Sequence, residues 1–117
     1  MDSDIGHGSW ERLTKHKNTG SNFRLDAVSL VNGEVYSIFS ACPKLESLML
    51  KYCRLPSKLY IGGPEHEWKS LTITSCIGVK KLELCAGNLT SLEIISSQKL
   101  EEISLSHVPK LRHFLLD

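Results

Sequence analysis

The sequence has no apolar run of the roughly 18 residues that a membrane-spanning helix needs. Its first residues, Met1 to Trp10, also lack the apolar stretch of a secretory signal. An address in the cytoplasm or nucleus is the expectation. An excess of either charge is missing too, since 14 Lys and Arg stand against 13 Asp and Glu. With no field of one sign, neither nucleic acid nor an anionic membrane surface is an expected partner. The four cysteines, Cys42, Cys53, Cys76 and Cys85, include no Cys-x-x-Cys pair of the kind that zinc or thioredoxin-like sites use. In a reducing compartment they are expected to be small buried side chains with a weak donor, not disulfides. Asn88-Leu89-Thr90 spells a glycosylation acceptor, a chance match in a chain that never enters the secretory route.

The constellations that carry catalysis are equally scarce. Glu65-His66-Glu67 lacks the second histidine of an H-E-x-x-H site and reads as a solvated loop. His107 and His113 flank Pro109, and their spacing to Cys76 and Cys85 fits no common zinc class. Gly6-His7-Gly8 and Gly62-Gly63-Pro64 are turn formers without the lysine and following helix of a phosphate loop. The expectation is a protein that is not an enzyme and holds no cofactor and no metal.

What the sequence does hold is repetition. Residues 1–22 carry few large apolar side chains and end in the polar turn-forming run Lys17 to Asn22, which predicts a flexible lead-in. From Phe23 onward short apolar clusters recur. Leu45-Glu46-Ser47-Leu48-Met49-Leu50-Lys51-Tyr52-Cys53-Arg54-Leu55 fits L-x-x-L-x-L-x-x-N/C-x-L at every specified position. Side chains alternate along a strand, so Leu48 and Leu50 point inward while Ser47, Met49 and Lys51 point out. Cys53 falls where the chain leaves the strand, and a small side chain there can meet the backbone of the neighbouring repeat. Copies begin at Leu25, Trp68, Leu89 and Leu111, so that successive starts at 25, 45, 68, 89 and 111 are 20 to 23 residues apart. That is the period of leucine-rich repeats.

A second set of strand-like segments lies between these: Leu59-Tyr60-Ile61, Val79 to Leu84 and Leu100 to Leu105. The first return leg differs, because Val35, Ile38 and Phe39 are spaced as on a helix that follows Asn32-Gly33 and ends before Pro43. The expected fold class is therefore α/β, a leucine-rich-repeat solenoid of mostly parallel β-strands with one short convex helix and strand-like return legs. Residues 23–117 would hold about five repeats. Asp117 directly follows a repeat strand without a polar cap, which reads as truncation.

Residues that point out from the repeat strands need not pack the core, so they form the candidate protein-binding face. These are Ser47, Met49, Lys51 and the adjacent Tyr52; Ser70, Thr72 and Thr74; Ser91, Glu93 and Ile95; and His113 and Leu115. In the first repeat the same reasoning selects Ala27, Ser29 and Val31. Met49, Ile95, Leu115 and Tyr52 are apolar or amphipathic where water would suffice, and Met and Tyr are adaptable contact residues.

The segment from Phe39 to Cys53, with Cys42-Pro43-Lys44-Leu45-Glu46 at its centre, resembles plant F-box proteins with leucine-rich repeats. The paired strands from Trp68 to Ile94 are similar to those of the same family. The resemblance implies the substrate-recognition half of a cullin-type ubiquitin ligase, in which the repeats hold the protein to be ubiquitinated and an F-box docks to a Skp-type adaptor. Residues 1–22 contain no F-box, so no Skp-type adaptor binding is expected from this chain alone, and its protein partner is not named by the sequence. The alternative is a repeat fragment of a plant nucleotide-binding disease-resistance receptor, whose repeats also carry Leu and Cys at these offsets.

Overall fold

A computed structural model describes residues 18–19, 21–31, 33–42, 44–62, 67–95 and 100–117. The expected flexibility of residues 1–17, and the Glu65-His66 part of the acidic loop, lie outside the described residues.

The repeat strands are β2 (Asn22–Asp26), β3 (Ser47–Lys51), β5 (Ser70–Thr74), β7 (Ser91–Ile95) and β9 (His113–Leu116). They stack in parallel, in the order β2-β3-β5-β7-β9, and β1 (Asn18–Thr19) pairs antiparallel on the outer edge of β2. The return strands β4 (Lys58–Gly62), β6 (Lys81–Cys85) and β8 (Glu102–Ser106) form a second parallel sheet in the order β4-β6-β8. The chain thus winds as a parallel coil with sheet on both sides, as the spelling of both segment sets predicts. One return leg is helical. The helix α1 (Glu34–Ala41) starts after Gly33 at φ 92 and touches β4.

Alternation decides what is buried. Leu48 and Leu50 of β3 align with Leu71 and Ile73 of β5, and these with Leu92 and Ile94 of β7. All six are buried, and they face Leu59, Ile61, Leu82 and Leu84 from the return sheet. Leu45, Trp68 and Leu89, which open their repeats, are fully buried. Burying one such side chain contributes about 1.5 to 3 kcal/mol, so these columns supply most of the driving force.

Where the strands end, the coil is tied by backbone bonds between neighbouring turns. Ala27 N–H donates to Lys51 O at 2.9 Å, Tyr52 N–H to Thr74 O at 3.0 Å and Ser75 N–H to Ile95 O at 2.6 Å. All three donors sit in left-handed backbone, with φ of 57, 56 and 54. This geometry swings the chain out of the strand while keeping the N–H on its neighbour.

The first repeat corrects the sequence reading. Phe23 and Leu25, not Val28 and Leu30, align with Leu48 and Leu50. The inward pair is therefore Phe23 and Leu25, both buried, and the outward pair is Arg24 and Asp26. Ala27 is the left-handed exit residue, Ser29 bridges Arg54 beyond the strand, and Val31 is an exposed loop residue. None of the three belongs to the outward face of a strand. The polar run before Phe23 likewise contains more than a turn, because Asn18–Thr19 and Asn22 lie in β1 and β2.

The cysteines divide. Cys53 and Cys76 are buried, whereas Cys42 and Cys85 are partly exposed, and all four are free thiols. Cys85 occupies an outward position of β6 beside Gly62, which is why burial fails there.

Candidate functional site

The outward side chains of the repeat sheet form three rows that run across the strands. The first joins Asn22, Ser47, Ser70, Ser91 and His113. The second joins Arg24, Met49, Thr72, Glu93 and Leu115, and the third Asp26, Lys51, Thr74 and Ile95. Parallel neighbours lie about 4.8 Å apart. The candidate residues named from the sequence on β3, β5, β7 and β9 therefore come together on one continuous face. Asn22, Arg24 and Asp26 were missed, because the register assigned to the first repeat placed them outside its strand.

Side-chain size gives that face its relief. The central strand β5 shows only Ser70, Thr72 and Thr74, each half-buried. On one side stand Met49 and Lys51 of β3, and on the other Glu93 and Ile95 of β7. A shallow trough results in the second and third rows, with Thr72 and Thr74 of β5 as its floor and walls about 10 Å apart, twice the strand spacing, whereas Ser47, Ser70 and Ser91 leave the first row level.

Charge sits at the walls and beyond them. Lys51 Nζ lies 5.5 Å over the ring of Tyr52, which is 61% exposed. An amphipathic ring is thereby held at the rim by a cation–π contact. Arg24 Nε donates to Asp26 Oδ2 at 2.9 Å, and both side chains remain substantially exposed. Across the trough, His113 Nε2 lies 3.0 Å from Glu93 Oε2. Each carboxylate is thus paired at least in part, and the face as a whole carries both signs.

Among the described residues no group of three or more His, Cys, Asp or Glu is gathered as metal ligands. A hollow of about 60 Å³ over Leu59 and Leu82 on the return sheet, flanked by Tyr60, Glu83 and Ser104, has room for a few waters only. None of the described helices is long and apolar enough to cross a membrane. Among the described residues the arrangement offers a broad contact surface and no assembled nucleophile, base and orienting group.

No curated protein and no solved structure matches the chain. A family model does, described as the At1g61320/AtMIF1 LRR domain, over residues 12–116. The match spans every repeat strand and every return strand, and a repeat scaffold of this type commonly serves protein–protein interaction rather than catalysis. The chain belongs to the At1g61320/AtMIF1 leucine-rich-repeat domain family of plants.

Proposed function

We propose that the chain is a protein-recognition module of the substrate-binding type found in F-box/leucine-rich-repeat ubiquitin ligases, working in the cytoplasm or nucleus and without an adaptor contact of its own. The observation that carries the reading is the trough along β5. Its floor of Thr72 and Thr74 leaves space for a protein segment, while Met49, Ile95 and Tyr52 offer apolar contact and Lys51 and Glu93 offer charge on opposite sides. Bound chains gain most where a few large side chains are desolvated inside such a rim. The Cys42 to Cys53 spelling supports the ligase family, and the four free thiols suit a reducing compartment.

A photo-cross-linking residue tests this when placed at Thr72 in the trough and, separately, at Glu83 on the return sheet. In plant-cell extract the Thr72 probe should capture a discrete protein that competes off with unlabelled chain, and the Glu83 probe should not. The captured protein should be a ubiquitinated one whose turnover slows when the chain is overproduced, because occupancy without an adaptor blocks delivery. Capture from Glu83 alone would refute the concave site, and stoichiometric binding of purified Skp-type adaptor would refute the adaptor-free reading. A captured protein with unchanged turnover would leave the binding face standing and remove the ligase role.

A further inference from the structure

The two charges on the walls of the trough stand diagonally across it. Lys51 shares its row with Ile95, on either side of Thr74, and Met49 shares the other row with Glu93, on either side of Thr72. Each wall thus carries one charged and one apolar side chain, in opposite order along the strands. The two rows lie two residues apart, roughly 7 Å along β5. Both charges retain binding capacity. Among the described residues no carboxylate lies within ion-pair distance of Lys51 Nζ, which rests over the Tyr52 ring, because its row neighbour Asp26 is held by Arg24. Glu93 faces His113 through Oε2, which leaves its other oxygen for a second cation.

Width decides which kind of chain reaches the floor. An α-helix with its side chains is about 10 to 12 Å across, as wide as the wall backbones are apart before Met49, Lys51, Glu93 and Ile95 narrow the gap. A helix would ride on the rims. An extended strand occupies about 4.8 Å between its neighbours and can descend along β5. Its peptide groups then turn down to the Thr72 and Thr74 hydroxyls, which both donate and accept. Its side chains turn to the walls, successive residues to opposite sides.

We propose, resting on the reading of the trough as the recognition site, that its occupant is an extended segment with one acidic and one basic residue at an odd spacing. The β3 wall takes an acidic side chain at Lys51 and an apolar one at Met49, two residues apart along the segment. The β7 wall takes an apolar side chain at Ile95 and a basic one at Glu93, again two apart. Interleaving the two pairs gives four consecutive residues in one of two orders, acidic-apolar-apolar-basic or apolar-acidic-basic-apolar, read in either chain direction. An acid and a base separated by an even number would face the same wall, which holds a single charge.

A phage-displayed library of short random peptides, panned on the immobilised 117-residue chain, tests this. Enriched sequences should carry one of the two orders and should be lost on Thr72→Trp, which fills the floor. A synthetic peptide of the acidic-apolar-apolar-basic order should bind Lys51→Glu about tenfold or more weakly than the wild type, because like charges meet. Replacing the peptide's acidic residue with lysine should restore binding to Lys51→Glu, a rescue that general damage to the fold would not permit. Glu93→Lys should show the mirror behaviour, rescued by a second acidic residue in place of the basic one. Enriched peptides that are lost on Thr72→Trp but carry no charge pair, or one at even spacing, would overturn the proposal and leave the trough standing as the site. Enrichment indifferent to Thr72→Trp would overturn both. If no peptide is enriched, the extended occupant is refuted, and capture at Thr72 still decides the site itself.

Discussion

The backbone N–H of Cys53 donates to Cys76 Sγ at 3.4 Å, and the Cys76 thiol lies 3.4 Å from the carbonyl of Leu50. The same step recurs one turn earlier, where the Cys53 thiol approaches Leu25 O at 3.6 Å. Each cysteine thus binds the backbone of the turn before it, at the point where the strand ladder stops. Val28 holds the equivalent place in the first repeat, and there no preceding parallel strand among the described residues offers a carbonyl. The residue at this position is therefore chosen for the neighbour it meets.

It follows that Cys76→Val, close in volume, should lower stability by about 1 to 3 kcal/mol, because the buried Cys53 N–H loses its acceptor. Val28→Cys should change little, since it removes no such partner. Denaturant midpoints at constant slope decide the comparison. Equal effects at the two sites would show that the cysteines act only by filling space.

The alternation of β3 makes a sharper contrast between adjacent positions. Leu48 is fully buried, whereas Met49 is half-buried on the outward face. A carboxylate at Leu48 has no partner and costs several kcal/mol, comparable to the 5 to 15 kcal/mol of a typical domain. Leu48→Asp should abolish the folded circular-dichroism signal and Met49→Asp should retain it.

Thiol chemistry offers an independent check on the cysteine step. The hydrogen bond to Cys53, and then burial, hold the Cys76 thiol well above its ordinary range, so it stays protonated at neutral pH. Burial likewise pushes the Cys42 thiol up, but that side chain reaches solvent. The same hydrogen bond lowers the Cys53 thiol to about 7, so protonation shields Cys76 while full burial alone shields Cys53, and iodoacetamide at neutral pH should leave both unmodified until the protein unfolds. Peptide mapping under native and denaturing conditions reads this out. The two thiols act on stability with opposite signs: Cys76 keeps a proton that the unfolded chain releases, so its contribution falls as pH rises above the ordinary value of 9.0, whereas Cys53, lowered to about 7, contributes stability that is present above 9.0 and lost as pH falls through about 7.

Much of this fold was legible because a parallel coil repeats one decision. Leu45 to Leu55 spelled the strand, its exit and the turn, and the copies at Trp68, Leu89 and Leu111 repeated enough of it to fix β5, β7 and β9. Return strands were legible for the same reason, as Leu59, Leu82 and Ile103 each open an alternating pair. The first repeat misled because the motif resembles itself after a shift of five residues. Leu25-x-x-Val28-x-Leu30 reads as a strand core, yet it is the equivalent of Leu50-x-x-Cys53-x-Leu55. Phe23, two residues before Leu25, was the signal that could have set the register. The trough along β5 was not legible as a shape, since the pattern specifies which side chains point out but not that the smallest stand between the largest.

The exit residues carry the last prediction. Ala27, Tyr52 and Ser75 hold positive φ in three successive turns, and each does so to keep its N–H on the next strand's final carbonyl. For an L-residue with a Cβ this conformation costs roughly 1 to 2 kcal/mol, and asparagine tolerates it better through local hydrogen bonding. Ala27→Asn and Ser75→Asn should therefore each raise stability, by about 0.5 to 1 kcal/mol of that strain. The sites lie two strands apart, at roughly 10 Å, so the gains should add. Tyr52→Asn should be close to neutral, because relief of strain is offset by loss of the Lys51 contact, worth about 0.5 to 1 kcal/mol at an exposed site. Gly78 provides the opposing control. Its φ is 100, and a Cβ there would lie 2.4 Å from Leu55 O, so Gly78→Ala should destabilise through both strain and collision. Denaturant titration of the four variants and the Ala27–Ser75 double variant settles the matter. If the two asparagine substitutions lower the midpoint, the left-handed exits are held by something other than the inter-turn N–H bond.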